Sequence, residues 1–221
     1  LESVTAGISG RLHVGTILSA SPVLLPRAIA QLQRAAPGIY VEVVEGLVAP
    51  LIDRLQRHEI DLIIGPLDPR AHHAGLQMEG LMHDIFSIVT RPGHPLAKLR
   101  RPTWRDAAQY PWIMPPLATV SRTRLEEAFA RAGVAAPSPR IETASIVALQ
   151  ALLHETGYVT CLAGSVAQLY RRLKLVDIVP MREQLDFGLI GMMWQAGAAS
   201  RVLPQLQECL RHEARELQGD A

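Results

Sequence analysis

Small hydroxyl residues follow the first predicted strand of the chain, at the point where a helix is about to begin. Ser19, Ala20 and Ser21 stand between a strand at 12–15 and a helix that starts at Pro22. The first four backbone N–H groups of a helix have no partner within it, and the helix dipole adds positive charge there. Such a turn can bind a polar or anionic small molecule. Ser21 is equally suited to be only a helix cap, with Pro22 at the first helical position.

Motifs of catalysis and cofactor binding depend on a fixed spacing that the sequence lacks. There is no Gly-rich nucleotide loop, no His-Glu-x-x-His helix and no Gly-x-Ser-x-Gly elbow, and the eight histidines show no paired ligand spacing. Cys161 lies in an apolar strand, which is typical of a small buried hydrophobe. Arg122, Arg124 and Arg131 are spaced for a solvated helix face, with Arg122 as the exception because it stands at a helix N-terminus, which can face a ligand-binding cleft. The sequence therefore predicts no enzyme, no metal site and no cofactor.

Composition and charge indicate a globular protein with no general attraction for nucleic acid. Of 221 residues, 48% are hydrophobic and 19% are charged, which suits one large domain or two small ones. A net charge of +1 recruits neither DNA nor an anionic membrane. Two distant cysteines favour a reducing compartment, the cytoplasm, and no apolar run approaches the roughly 20 residues of a membrane span. Residues 1–8 resemble the end of something longer, so we interpret the chain as an excised domain.

The first part of the chain alternates strands with helices, which is the rhythm of a parallel sheet. Its third strand is apolar on both faces and needs helices on both sides. Right-handed crossovers then bring Gly65 and Pro66 to the same sheet edge as Ser19, where ligands bind in open α/β sheets. The predicted elements are strand 12–15, helix 22–36, strand 40–45, helix 50–58 and strand 62–65.

A second α/β lobe is predicted after a polar loop at 66–75. Two antiparallel strands, 76–80 and 85–91, lead into a turn at 91–95 that holds two prolines and a glycine. The elements that follow are a short helix after Thr103, strand 112–114, helix 122–132 capped by Ser121, strand 140–142, helix 146–155 between Ser145 and Gly157, strand 159–162, helix 166–173 after Ser165, strand 175–179, strand 187–194 and helix 201–217.

Four motifs in this order resemble the effector-binding domain of LysR-type transcriptional regulators. They are Gly-Arg-Leu-His-Val-Gly at 10–15, Leu-Leu-Pro at 24–26, Glu-Ile-Asp-Leu-Ile-Ile-Gly at 59–65 and Arg-Pro-Gly-His-Pro-Leu at 91–96. The last two motifs are the most specific, because they occur at a characteristic mutual distance. The resemblance extends from about residue 10 to residue 217.

The resemblance implies an α/β fold of the type-two periplasmic-binding-protein kind, with two Rossmann-like lobes joined by two crossing strands and an effector in the cleft. It also implies a bacterial sensor domain that reaches DNA only through an N-terminal winged helix-turn-helix absent from this sequence. The expected boundaries are 1–10 for the end of a linker helix, 11–88 with 190–221 for regulatory lobe I, and 89–189 for regulatory lobe II.

Effector contacts are implied only where segments of this chain match the family. The effector is expected to be a small carboxylate or a sugar acid, and the residues do not choose between them. Family members pair through the helices that correspond to 22–36 and 166–173, which implies a homodimer or tetramer. The implied effector-binding residues are Ser19, Ala20, Ser21, Gly65, Pro66, Thr119, Ser121, Thr143 and Ser145.

Two other classes of protein are compatible with such a scaffold. An extracytoplasmic solute-binding receptor of a transporter would share the fold, and helix-turn-helix sequence upstream in the full reading frame would exclude it. An enzyme would need a titratable cluster in the cleft. The predicted cleft segments offer hydroxyls and backbone groups instead.

Overall fold

The computed structural model describes residues 9–17, 20, 22–117, 119–197 and 200–219. The chain forms two compact units: the first contains the residues up to His83 and those from Leu189 onward, and the second contains Asp84–Gly188. Among the described helices, none is long and apolar enough to cross a membrane.

The first unit is built on a sheet with helices that cover its apolar faces. Its strand order is β2-β1-β3-β9-β4, and β4 and β9 each continue into the second unit. Its elements are β1 (Gly10–Thr16), α1 (Leu24–Ala35), β2 (Ile39–Glu45), α2 (Val48–Gln56), β3 (Leu62–Pro66), α3 (Pro69–His73), β4 (Gln77–Thr90), β9 (Leu185–Trp194) and α9 (Leu203–Gly219).

Register in the first unit follows from the buried strands. β1 pairs in parallel with β2 and with β3, while β9 runs antiparallel to β3 and sets Gly191 opposite Gly65. Every residue of β3 is buried, as its apolar sequence predicts. Helix α1 packs against α9, and the buried apolar residues of α1 include Leu25 and Leu32.

Two prolines and a glycine account for the errors of prediction in the first unit. Helix α1 begins at Leu24, so Pro22 precedes the helix instead of opening it. The polar loop expected at 66–75 contains α3, which Pro69 opens and Asp68 caps through the Arg70 N–H at 2.8 Å. The predicted pair of antiparallel strands is wrong, because Gly80 lies within the single strand β4 and makes room for the Leu189 side chain.

The second unit has an aromatic core beneath short strands. The ring of Phe129 contacts Trp104 at 5.1 Å and Trp112 at 5.4 Å between centroids, edge to face. Its further elements are α4 (Pro95–Lys98), α5 (Trp104–Ala107), β5 (Ile113–Met114), α6 (Val120–Arg131), β6 (Ile141–Glu142), α7 (Ile146–Thr156), β7 (Thr160–Ala163), α8 (Gly164–Arg172) and β8 (Asp177–Ile178).

Three strands of the second unit run in the same direction. β5 pairs in parallel with β6, and Trp112 forms a parallel bridge with Val159 at the start of β7. β7 and β8 are both antiparallel to β4. The carboxyl ends of β5 and β6 therefore share one edge of the unit, and their amino ends lie at the opposite edge together with the start of β7.

Candidate functional site

The N-termini of two helices lie at the carboxyl edge of β5 and β6. Helix α6 begins at Val120, shortly after β5 ends, and α7 begins at Ile146, shortly after β6 ends. The Thr143 N–H donates to the Met114 carbonyl at 3.2 Å, which ties the two strand ends together. We call the four predicted residues at this edge, Thr119, Ser121, Thr143 and Ser145, the hydroxyl edge.

One of the four hydroxyls is fully engaged within the protein. Thr119 Oγ1 donates to the Pro116 carbonyl at 2.7 Å and accepts from the Arg122 N–H at 3.2 Å. Thr119 is thus the N-cap of α6, and the prediction that Ser121 caps this helix is wrong. Ser121 lies in the first turn, and its side chain makes no hydrogen bond with the described part of the chain.

The hydroxyls beside α7 keep their protons available. Thr143 Oγ1 accepts from the Ser145 N–H at 3.0 Å, and Ser145 Oγ accepts from the Ala148 N–H at 3.3 Å. Neither hydroxyl donates to a described residue. The prediction that Ser145 precedes this helix and Gly157 follows it is confirmed, since Gly157 adopts a left-handed conformation with φ 64°.

Backbone donors complete the hydroxyl edge. The N–H groups of Val120 and Ser121 open α6, those of Ile146 and Val147 open α7, and none of the four bonds to a described residue. Each helix adds partial positive charge at this end. The edge can therefore donate several hydrogen bonds to acceptor atoms of a small ligand.

Arg122 is buried, so it does not share the solvated face predicted for Arg124 and Arg131. Its Nε donates to Glu126 at 2.5 Å, and its Nη1 donates to Glu142 at 2.8 Å and to the Pro115 carbonyl at 3.2 Å. Burial opposes its charge, but the ion pairs with both glutamates outweigh burial and raise the pKa of Arg122. Arg124 and Arg131 are exposed, as predicted. The Arg122 guanidinium lies between these two carboxylates, and its ion pairs link α6 to β6.

Replacing Arg122 tests the contribution of these ion pairs to stability. We expect Arg122→Met, which keeps a long side chain, to lower the free energy of unfolding by about 2 kcal/mol, since the ion pairs are half buried. Urea denaturation followed by tryptophan fluorescence measures the loss. Arg124→Met, whose pair with Glu127 is exposed at 3.5 Å, is the matched control and should change stability by less than about 0.5 kcal/mol. Equal losses in both variants would contradict the assignment.

The predicted site residues of the first unit that the structure describes lie at or just after the carboxyl ends of β1 and β3. Ala20, Gly65 and Pro66 are all buried, while Ser19 and Ser21 lie outside the described residues. A Cβ on Gly65 would meet Ile17 Cγ1 at 2.5 Å, so this glycine allows the Ile17 side chain to cover it. The predicted residues that the structure describes thus fall into two sets, one in each unit.

Asp84 is a buried carboxylate that sequence reasoning missed. It accepts hydrogen bonds from Ser165 Oγ at 2.7 Å and from the N–H groups of Ile85 and Ser165 at 2.8 and 3.3 Å. Helix α8 begins at Gly164 without a cap of its own, so Ser165 is not the predicted cap and Asp84 replaces it. Burial raises the pKa of Asp84 despite these bonds. The sequence signal was an acidic residue directly before the mostly apolar segment 85–89 of β4.

The cysteines do not have the properties of reactive thiols. Cys161 is buried as predicted, and burial raises its pKa to about 12. Burial and the charges of Glu213 and Glu208 also raise the pKa of Cys209. Reactive cysteines have a lowered pKa. Within the described ranges, no three metal-binding side chains cluster.

Comparisons with known proteins agree on one family. A sequence profile described as the LysR substrate binding domain matches residues 5–215. The HTH-type transcriptional regulator GbpR of Azospirillum brasilense is 30% identical over 195 residues, which are 88% of this chain and 57% of that protein. The chain spans about half the length of the curated relatives it matches.

Solved structures share the fold at low sequence identity. The cofactor-binding domain of the Cbl transcriptional regulator has a TM-score of 0.79 at 18% identity, over 98% of this chain and 95% of that one. The CcmR regulatory domain of Synechocystis PCC6803, solved in complex with 2-PG, has a TM-score of 0.77 at 19% identity, over 95% and 99%. These matches confirm the predicted α/β fold of the periplasmic-binding-protein type.

Proposed function

The chain belongs to the LysR substrate-binding domain family, the effector-binding domains of LysR-type transcriptional regulators, and we propose that it senses its effector through the hydroxyl edge. The observation that carries this proposal is the convergence of two helix N-termini at one edge of the second unit. Four backbone N–H groups and three hydroxyl protons lie there without a hydrogen-bond partner among the described residues. The matched relatives are regulators, in agreement with the prediction that the chain is not an enzyme.

The donors at the hydroxyl edge favour a ligand rich in acceptor atoms. A carboxylate can accept from several N–H groups at once, and a sugar acid adds hydroxyls that pair with Thr143 and Ser145. Arg122 does not contribute to charge recognition, because Glu126 and Glu142 already surround it. We therefore propose a small carboxylate or a sugar acid as the effector.

Contacts in the first unit form the second part of the proposal. Ser19 and Ser21 are proposed to bind the effector at the edge formed by β1 and β3. Ala20, Gly65 and Pro66 are buried, and we propose that they shape this edge through packing and their backbone groups. Ile17 joins them, since its N–H donates to the Ile64 carbonyl at 3.2 Å.

The partners of the full-length protein also belong to the proposal. LysR-type regulators bind small-molecule effectors and act as oligomers on DNA. We propose a cytoplasmic homodimer or tetramer that pairs through the helices α1 and α8. DNA binding would be the task of a segment outside these 221 residues, and effector binding would bias the equilibrium between two conformations of the assembly.

A thermal-shift screen tests the proposed function. The 221-residue chain is heated with small carboxylates, aromatic acids, sugar acids and free sugars. A ligand at a hundred times its Kd adds about 2.7 kcal/mol and raises the melting temperature by several degrees. No shift with any of the carboxylates or sugar acids would contradict the proposed effector class.

Substitutions in the chain test where the strongest ligand of this screen binds. Thr143→Val should weaken binding about tenfold, since one hydrogen bond to the ligand is lost. Thr123→Val is the matched control, because the Thr123 hydroxyl donates to the carbonyl of Thr119 within its own helix. Ser19→Ala tests the first unit in the same way. Unchanged affinity in Thr143→Val would contradict the role of the hydroxyl edge.

A further inference from the structure

A groove in the second unit lies at the edge opposite the hydroxyl edge. It has a volume of about 750 Å³, within the range of small-molecule sites. Its lining comes from the segments that precede β5, β6 and β7, so it faces away from the ends where α6 and α7 begin. We call it the tyrosine groove, lined among others by Gln109, Tyr110, Ser138, Pro139, Arg140 and Tyr158.

The polar side chains of the tyrosine groove have no partners in the described part of the protein. The phenol groups of Tyr110 and Tyr158, the Gln109 amide, the Ser138 hydroxyl and the Arg140 guanidinium make no side-chain hydrogen bond to a described residue. These groups converge on one concave surface. Five polar groups with free hydrogen-bonding capacity around apolar walls are a feature of small-molecule sites.

Arg140 is an exposed arginine without a carboxylate partner among the described residues, as Arg131 of the same unit is, and it is set apart by its place in the lining of the tyrosine groove. Only its backbone N–H is engaged, with the Trp112 carbonyl at 3.3 Å. A planar guanidinium that is free can bind a carboxylate through two parallel hydrogen bonds.

Packing holds the Tyr110 ring in place, and a hydrogen bond anchors the backbone of Tyr158. Tyr110 packs edge to face on the buried His94, with 4.8 Å between ring centroids. The Tyr158 N–H donates to Thr156 Oγ1 at 3.2 Å, directly after the left-handed turn at Gly157. An aromatic side chain that is fixed by packing, as Tyr110 is, binds flat apolar groups at a low cost in conformational entropy.

We propose that the tyrosine groove is a second small-molecule site, which binds an organic anion with a flat apolar body. The carboxylate would pair with Arg140, while Tyr110, Tyr158 and Pro139 would contact the body. Gln109 and Ser138 would bind further polar groups. This site is independent of the effector proposed for the hydroxyl edge, because it uses none of the same residues.

Benzoate is a suitable probe, since it combines a carboxylate with a flat ring. The ¹⁵N-labelled chain is titrated with sodium benzoate, and amide chemical shifts are recorded. We expect the largest shifts at Tyr110, Arg140 and Tyr158, and an affinity about tenfold lower in Arg140→Gln, because the charge-assisted pair is lost. Benzyl alcohol, which has the ring without the charge, should bind as weakly to the wild-type chain as benzoate does to Arg140→Gln.

The control variant is Arg131→Gln, which removes an exposed arginine that has no ion pair among the described residues of the same unit. Benzoate should bind this variant as it binds the wild-type chain. Equal affinity in Arg140→Gln and the wild type would overturn the proposal. Shifts confined to Ser121 and Thr143 would also overturn it, while supporting the hydroxyl edge as the effector site.

Discussion

The free energy of unfolding of the Asp84→Ala variant is expected to be about 3 kcal/mol lower than that of the wild-type chain. The substitution removes the cap of α8 and leaves the N–H and hydroxyl groups of the half-buried Ser165 without their acceptor. Urea denaturation followed by the fluorescence of Trp104 and Trp112, both in the same unit as Asp84, measures the change. Ser165→Ala, which removes a single hydroxyl bond, should cost about 1 kcal/mol. A loss below 1 kcal/mol in Asp84→Ala would contradict the capping role.

The stability of the wild-type chain should also depend on pH through the titration of Asp84. Burial raises the native pKa of this carboxyl above its ordinary value of 3.8, so the native state binds the proton more tightly than the unfolded state. As the pH falls from above the native pKa to 3.8, the free energy of unfolding of the wild-type chain should therefore rise relative to that of Asp84→Asn, because the amide of the variant cannot titrate. A constant difference between the two proteins over this interval would show that the carboxyl is not desolvated.

The Gly191→Ala variant is expected to lose about 3 kcal/mol of stability or to fail to fold. A Cβ at this position would overlap the Glu79 carbonyl oxygen and would lie 2.7 Å from Leu67 Cδ2. The Glu79 oxygen belongs to the backbone of β4, which cannot shift without disturbing the sheet next to β9. Heat and urea denaturation, followed by the fluorescence of Trp194 in the same unit, measure the loss.

Gly219→Ala is the matched control for this prediction. A Cβ at Gly219 would meet no heavy atom within 4 Å, and the change should alter stability by less than about 0.5 kcal/mol. If Gly191→Ala were as stable as the wild-type chain, β4 and β9 could separate at this point without a loss of stability, which would contradict the prediction. If Gly191→Ala does not fold, Gly191→Ser should also fail, because it carries the same Cβ.

Elements with strong local signals were predicted well from the sequence. Helix α7 is bounded by Ser145 and Gly157, and β3 is an apolar run that only a buried strand explains. Predictions were wrong where the same residue type occurs in two kinds of secondary structure. Gly80 indicated a turn but lies in a strand, because the contact with Leu189 is formed by residues far apart in the sequence.

The chemistry of the candidate site was only partly predictable. Hydroxyls at 119 and 121 are both plausible helix caps in the sequence, and in the structure Thr119 is the N-cap and also donates to the Pro116 carbonyl. The burial of Arg122 depends on Glu142, twenty residues away, and the role of Asp84 depends on Ser165, 81 residues away. Pairings of this kind are set by the tertiary structure, and no local pattern reports them.

Amide mapping of the strongest ligand from the thermal-shift screen tests most directly whether the hydroxyl edge is the effector site. The ¹⁵N-labelled chain is titrated with that ligand, and the shift of each backbone amide is recorded. The predicted result is that Val120, Ser121, Ile146 and Val147 shift most, since their N–H groups are the free donors of the edge. Large shifts elsewhere in the chain with these four amides unchanged would contradict the assignment.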